Sequence, residues 1–383
     1  EELKSFLNTV IEVPEIRELF TTNPTDFIRD RKLPLKKIIG ILINLPKRSL
    51  SIELRSFFET LGQEDLCCTK GAFSLQRVKL KPMLFKVWND FLVKSFYRFY
   101  GDHVKRWEGF KLLAVDGSNF SVVNKPKVVA YFGSADNQFG GVPMGRAMQI
   151  HDVLNDLTIW GGIFPRKLSE NAIIANNIRH LPEDSLTLFD RGYPSYSLIY
   201  LLSNEETSRH FVMRCKTTFS NEVKIFVAGN KKNIVTTIYP SLESVETLRK
   251  HGYIVTKKHG IKIRMVKVIL LDGEIEVLLT DLYDDKIFTV KKLSALYFMR
   301  WKIETSYGKQ KNQLQIEICS GHKVICIEQD YEAGLFVANL QSIIEKQCDQ
   351  EVKEISASRR YEYKINRNVS WASLKNRILK LFI

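Results

Sequence analysis

Two stretches with a similar pattern indicate how this chain folds, namely KLLAVDGSNF at residues 111–120 and SLTLFDRGYPS at residues 185–195. Each opens with an apolar run that is typical of a strand buried on both faces, and the runs end in Asp116 and Asp190. Ligands of open α/β sheets bind at the carboxyl ends of the strands. If the two strands are neighbours, both carboxylates face one site. Taken alone, each aspartate is also a residue that a turn favours.

A pair of carboxylates at one edge of a sheet has an electrostatic consequence. Two such groups repel each other, so the pKa of at least one rises unless a cation lies between them. Mg²⁺ and other hard divalent cations prefer oxygen ligands. Asp116 and Asp190 are therefore candidate ligands of a divalent metal ion.

A third acidic residue stands among cations in YFMRWKIETSYGKQK, residues 297–311. On a helix that turns about 100° per residue, Arg300, Glu304 and Lys311 project at about 300°, 340° and 320° from Tyr297, within one arc of about 60°. The spacing predicts that all four side chains share one helix face. The alternative is an amphipathic surface helix, in which an Arg300–Glu304 pair contributes only a few tenths of a kcal/mol.

The charge balance of the chain indicates an anionic partner. The 383 residues have ordinary contents of hydrophobic (44%) and charged (26%) residues, but the net charge is +14. Nucleic acid is the first candidate and a membrane surface the second. No apolar run approaches the ~20 residues of a transmembrane helix, and no long basic amphipathic anchor is present, so we expect no membrane association.

The expected location is the cytoplasm. The first residues, EELKSFLNTV, lack the basic start and the apolar core of a signal peptide. The six cysteines are scattered, which suits a reducing compartment better than a disulfide scaffold.

The chain divides into five segments with different patterns. Residues 1–105 are predicted to be helical and basic, 106–215 and 289–345 to be two parts of an α/β domain, 216–288 to be a β-rich insertion within it, and 346–383 to be a basic C-terminal segment. Within the insertion, Asp272-Gly273 is a type I′ turn signal between two strands. In the N-terminal segment, a helix that Thr69 caps would carry Lys70, Ser74, Gln76 and Arg77 toward a groove; the alternative is a solvated basic face.

One spacing is typical of a metal site, namely Cys319-x2-His322-x3-Cys326. Zinc would require a fourth ligand, and none is evident nearby. The alternative is two free thiols and an exposed histidine.

Two strand-end aspartates, a later glutamate among cations and a strongly basic chain fit one chemistry. That chemistry is phosphoryl transfer with two metal ions ~3.5–4 Å apart, in which one ion activates water or a 3′-hydroxyl and the other stabilises the leaving oxygen. Arginine and lysine then bind the phosphate backbone.

The same residues give the chain a resemblance to a known family. It resembles the DDE transposases of bacterial insertion sequences, in the branch marked by Y-x2-R-x3-E-x6-K, with Tyr297, Arg300, Glu304 and Lys311 at every required spacing. AVDGS around Asp116 and LFDRGYPS around the second aspartate accompany the motif, and the resemblance covers roughly residues 106 to 380.

The resemblance implies an α/β fold: an RNase H-like catalytic domain that is interrupted by a β-rich insertion before the glutamate-bearing helix, with a helical N-terminal domain. It implies two Mg²⁺ or Mn²⁺ ions bound by Asp116, Asp190 and Glu304. It also implies that Tyr297, Arg300 and Lys311 contact double-stranded DNA at the transposon end. The expected reaction is nicking to a 3′-OH, followed by strand transfer into target DNA.

The resemblance implies further partners as well. Residues 1–105 are expected to bind the terminal inverted repeats, and a homodimer is expected to form on paired ends, in the cytoplasm and in association with the nucleoid. Two alternatives remain: a catalytically silent DNA-binding descendant and a stand-alone RNase H-like nuclease.

One departure from the family pattern concerns the insertion. Relatives that form a DNA hairpin use a tryptophan there to stabilise a flipped base, and residues 216–288 contain no tryptophan. Tyr239, Tyr253 and Phe226 are the candidate substitutes, because any aromatic face can stack on a base.

Overall fold

The fold is organised around one mixed sheet. The computed structural model describes residues 1–29, 32–138, 140–204, 209–270, 273–357, 359, 361, 363–375 and 377–382. Within these residues the strands are β1 (Lys111–Ser121), β2 (Ser134–Asn137), β3 (Gly140–Asp152), β4 (Leu157–Phe164), β5 (Ser185–Phe189), β6 (His210–Cys215), β7 (Asn233–Ile238), β8 (Ile261–Ile269) and β9 (Ile275–Thr280). Their order is β2-β3-β1-β5-β6-β9-β8-β7, and β4 also pairs with β3.

The centre of the sheet places the two aspartates side by side. β1 runs parallel to β5 with Val115 opposite Phe189, so Asp116 and Asp190 directly follow the last residue pair. This confirms that the two strands are neighbours. β1 does not end at Asp116 as the sequence predicts, because it continues along β3 as far as Ser121.

Helices cover both faces of the sheet and surround one end of it. In the described residues they are α1 (Glu2–Glu12), α2 (Pro14–Phe20), α3 (Leu35–Ile43), α4 (Leu50–Thr60), α5 (Lys70–Arg77), α6 (Met83–Phe99), α7 (Pro126–Phe132), α8 (Glu170–Asn176), α9 (Tyr196–Ser203), α10 (Asn221–Ala228), α11 (Leu242–Lys250), α12 (Val290–Phe298), α13 (Trp301–Asn312), α14 (Val324–Ala357), α15 (Arg367–Leu374) and α16 (Arg377–Phe382). None of the described helices is long and apolar enough to span a bilayer.

Alternating side chains of the central strands form two hydrophobic layers. Leu113 and Val115 of β1 contribute to the layer against α8–α11, whereas Leu112 and Ala114 contribute to the layer against α12–α14. Strands that are buried on both faces read as nearly continuous apolar runs, which is why KLLAV and SLTLF could be recognised.

The N-terminal helices share a third hydrophobic core with the end of the chain. The indole of Trp88 stacks on Phe336 of α14 at 4.1 Å and meets Phe382 of α16 edge-on at 4.9 Å. Thr69 caps α5 as expected, since its hydroxyl accepts from the N–H of Ala72. The interpretation that Arg77 faces a DNA groove is wrong, because this side chain is fully buried in ion-paired contact with the Asp330 carboxylate of α14.

Residues 216–288 extend the central sheet. The predicted hairpin is present as β8 and β9, and β9 pairs with β6 in antiparallel register. The segment also contains α10 and α11. Asp272 of the predicted turn lies outside the described residues, whereas the neighbouring Gly273 has a φ of 86°.

Candidate active site

Three carboxylates surround one arginine beside β1 and β5. The guanidinium of Arg300 lies 2.9 Å from Glu304 Oε1, 3.9 Å from Asp116 Oδ2 and 4.0 Å from Asp190 Oδ1. Arg300 is 3% exposed. The structure thus brings together the two strand-associated aspartates and the motif glutamate that the sequence selects, and a single buried cation balances part of their charge.

The two aspartates differ in how readily they ionise. Burial raises the pKa of Asp116 to about 7, although Arg300 and a backbone N–H oppose this effect. Burial by itself would also raise the pKa of Asp190, but a backbone N–H, Arg300 and Arg214 outweigh it and hold this pKa below its usual value. Of these two aspartates, Asp116 is therefore the one that needs further positive charge in order to be ionised at neutral pH.

Asp190 has a second arginine partner that the sequence analysis missed. Arg214 of β6 donates to Asp190 Oδ1 at 2.8 Å and to Glu276 Oε1 of β9 at 2.5 Å. The hydroxyl of Tyr297 also lies 3.3 Å from Asp190 Oδ1. The sequence does contain a signal for this partner, because Arg214 stands inside the apolar strand HFVMRC. Burying a charge is costly unless the charge is paired, so an arginine there indicates a nearby carboxylate.

The motif segment forms two helices. α12 ends at Phe298 and α13 begins at Trp301, so the expectation of one continuous helix through residues 297–311 is wrong. Tyr297 reaches the carboxylates from the last turn of α12, and Arg300 reaches them from the break itself, where it is the N-cap of α13. Lys311 points elsewhere: its ammonium donates to the carbonyl of Asn119 at 2.5 Å and lies 3.5 Å from Glu317.

The side of α13 that packs on β1 and β3 is fixed by buried hydrogen bonds. The amide of Gln310 exchanges hydrogen bonds of 2.7 and 3.2 Å with that of Gln149 on β3, which also donates to Tyr331 of α14. The hydroxyl of Tyr307 donates to the carbonyl of Asp116 at 2.9 Å. The helix that carries Glu304 is thereby held directly against the strand that carries Asp116.

An ion-paired cluster behind α13 connects it to the C-terminal segment. Asp156, in the turn between β3 and β4, lies 2.9 Å from Lys309, 3.1 Å from Arg367 and 3.3 Å from His151. Burial by itself would raise the pKa of Asp156, but His151 and Lys309 outweigh it and hold this pKa well below its usual range. The cluster therefore contains an ionised carboxylate at neutral pH.

Within the described residues, neither predicted metal site is a preassembled cluster of ligands. In the described ranges, no group of three or more His, Cys, Asp and Glu side chains lies close enough to hold an ion. This speaks against zinc at Cys319, His322 and Cys326, and burial raises the pKa of the Cys319 thiol to about 12, which keeps it protonated. The three carboxylates around Arg300 do not form such a group either, so the metal site at Asp116, Asp190 and Glu304 stays a prediction.

The three aromatic candidates of the segment 216–288 differ in accessibility. Phe226 is 3% exposed and packs under the ammonium of Lys267. Tyr253 packs edge-on against Tyr200 of α9. Tyr239 is 57% exposed, so it is the candidate whose ring is available for stacking.

Comparison with known proteins identifies the family. The family model of the transposase DDE domain matches residues 107–340, a range that includes all three carboxylates and more than half of the chain. The chain therefore belongs to the transposase DDE domain family.

Two relatives come from Escherichia coli (strain K12). The "Transposase InsG for insertion sequence element IS4" is 26% identical over 218 residues, which are 55% of this chain and 46% of that protein. The "Putative transposase InsZ" is 25% identical over 120 residues, which are 30% of this chain and 40% of that protein. The matches thus span less than half the length of each relative. Among solved structures, a cryo-EM structure of the piggyBac transposase synaptic complex with hairpin DNA has a TM-score of 0.47 at 9% identity, covering 90% of this chain and 69% of that one.

Proposed function

We propose that this chain is a cut-and-paste transposase. It nicks DNA at the ends of its element to produce a 3′-OH and then joins this end to target DNA. The observation that carries the proposal is the parallel pairing of β1 with β5, because it sets Asp116 and Asp190 beside Glu304 in a chain of this family.

The proposed metal ligands are Asp116, Asp190 and Glu304, and the proposed ions are two Mg²⁺ or Mn²⁺. Such ions, when bound, activate the attacking oxygen and stabilise the leaving oxygen. The donor set supports this role: three carboxylates lie within 4.0 Å of one cationic side chain, and burial raises the pKa of the half-buried Asp116 to about 7, so a nearby cation would favour its ionised form. Hard divalent cations prefer carboxylate oxygens of this kind.

The proposed DNA contacts at this site are Tyr297, Arg300 and Lys311. A guanidinium can bind a phosphate through the same pair of N–H donors that it offers to a carboxylate. Arg300 is therefore proposed to leave Glu304 and bind a phosphate of the cut strand when DNA is present. Lys311 needs to release only a carbonyl and a partly exposed Glu317 to reach a phosphate. Tyr239 is the proposed stacking residue if a hairpin intermediate forms.

The proposed substrates are the terminal inverted repeats of the element and target DNA, bound by a homodimer in the cytoplasm. The basic helices of residues 1–105 are proposed to recognise the repeats. Besides the buried Arg77, eight Lys and Arg stand against two acids between residues 70 and 106, which supports a phosphate-binding role.

The direct test offers the full chain a plasmid that carries the DNA flanking its gene, with and without Mg²⁺. The expected result is metal-dependent nicking at the element ends, followed by joining of a precut end to a target plasmid. Nicking without joining would identify a stand-alone nuclease instead. Salt-sensitive DNA binding without any cleavage would identify a silent descendant.

A further inference from the structure

The first turn of α8 contacts the turn that follows Asp190. Glu170 Oε2 accepts a hydrogen bond of 2.6 Å from the hydroxyl of Tyr193, and the amide of Asn171 donates to the carbonyl of Gly192 at 3.1 Å. The N–H of Tyr193 closes the same turn by donating to the carbonyl of Asp190 at 3.0 Å. Two side chains of α8 therefore hold this turn in place.

The other oxygen of the same carboxylate lies over the residue that follows Asp116. A Cβ at Gly117 would stand only 2.5 Å from Glu170 Oε1, so this glycine is the residue that leaves room for the carboxylate. Arg146 of β3 lies 3.8 Å from the same oxygen. One glutamate side chain thus touches both aspartate-bearing segments.

We propose that Glu170 and Tyr193 form a positioning clamp that sets the separation of the Asp116 and Asp190 carboxylates. The inference rests on the proposed function, since a site that shares metal ions between two carboxylates depends on their spacing. Neither residue is a catalytic residue, because each acts through an aspartate.

The contacts of Glu170 favour a positioning role over direct metal ligation. Its Oε2 accepts a hydrogen bond of 2.6 Å from Tyr193, and its Oε1 lies 3.8 Å from Arg146 and close to the backbone at Gly117. The donor, Tyr193, is 2% exposed, so the turn itself fixes its position. Partners of this kind orient metal-binding carboxylates, and their loss typically lowers metal affinity ~10–100-fold.

The test compares Tyr193→Phe with Glu170→Gln in the full chain. The phenylalanine keeps the ring packed on Phe189 but removes the hydrogen bond, whereas the glutamine keeps an oxygen acceptor for Tyr193 and removes only the charge. Gly192→Ala is the matched control in the same turn, because a Cβ there meets no atom within 4 Å. Mn²⁺ binding, followed by electron paramagnetic resonance without DNA, is the readout.

We expect Tyr193→Phe to weaken Mn²⁺ binding ~10-fold or more, whereas Glu170→Gln stays within about twofold of the wild type and the control matches it. A Glu170→Gln protein that binds Mn²⁺ as poorly as an Asp190→Asn protein would overturn the clamp and make Glu170 a direct ligand. Unchanged binding in Tyr193→Phe would also overturn it. Should Tyr193→Phe fail to fold, Asn171→Ala removes the second bond to the turn, and we expect it to weaken binding in the same direction.

The Mn²⁺-binding test of the clamp can be read separately from the DNA-cleavage test of the proposed function. Absence of DNA cleavage by the wild type would refute the proposed function, while the ranking of Mn²⁺ affinities among these variants would still support or refute the clamp. If the wild type cleaves, the Mn²⁺ concentration for half-maximal cleavage should follow the same ranking.

Discussion

The two sides of α13 hold the same helix by different means. The partly exposed side carries Glu304 in a charged contact with Arg300, at the edge of the site. The buried side packs on β1 and β3 and carries Gln310, Tyr307 and Ser306, which make neutral hydrogen bonds. The difference shows a division of roles. Charged groups that can change partners face the proposed substrate, whereas buried hydrogen bonds fix the position of the helix that carries them.

The largest expected effect comes from the charged side. Glu304→Gln should lower the rate of metal-dependent cleavage by more than ~100-fold. Loss of a residue that only orients a metal ligand typically costs ~10–100-fold, and loss of a ligand itself should cost more. Its side chain is 39% exposed, so the free energy of unfolding should change little. Gel assays of nicking and urea titrations of the same preparation test both statements. Cleavage at the wild-type rate would remove Glu304 from the catalytic set.

Substitutions on the buried side of α13 should lower the free energy of unfolding. Gln310→Leu leaves the buried amide of Gln149 without its closest partner, which should lower the free energy of unfolding by about 1–3 kcal/mol. Urea denaturation followed by circular dichroism measures the change. Lys302→Leu, on the exposed side of the same helix, is the control and should stay within about 0.5 kcal/mol of the wild type. Equal losses in both variants would contradict the comparison.

The cluster behind the helix should give a pH-dependent effect. The pKa of Asp156 is lowered in the folded protein, so its stabilisation is fully present above the unfolded pKa of about 4 and is lost as the pH falls below that value. Asp156→Asn should therefore lower the unfolding free energy at pH 7 by about 1 kcal/mol, a modest effect because Lys309 and Arg367 are partly exposed to solvent. The difference between variant and wild type, measured by urea titration, should shrink toward pH 3. A constant difference across this range would mean that charge is not its source.

The smallest expected effect concerns Gly308, which lies on α13 one turn after Glu304 and therefore on the same side of the helix. A Cβ at this position meets no atom within 4 Å, so Gly308→Ala should raise the free energy of unfolding by about 0.5–1 kcal/mol. Binding of element-end DNA should be measured on the same protein. Weaker binding despite higher stability would indicate that DNA approaches the helix backbone there, and unchanged binding would indicate that it does not.

Much of the site could be predicted because its signals are local. Asp116 and Asp190 follow apolar strands, and Glu304 stands at fixed spacing from Tyr297 and Arg300. Arg214, Glu276 and Glu170 were missed, because each reaches the site from an element that is distant in sequence. The break between α12 and α13 was also missed, since the apolar spacing continues through it without a proline or glycine.

The sequence by itself determined the buried strands, the order of the acidic residues and the family, because these depend on residue type and spacing along the chain. The tertiary structure alone decided which charges meet. It placed Arg300 among three carboxylates, turned Lys311 toward Asn119, buried Arg77 against Asp330 and brought Glu170 between the two aspartate-bearing segments. The physical reason is that ion pairs and close contacts depend on distances of a few ångströms in space, and only the packing of the helices on the sheet sets those distances.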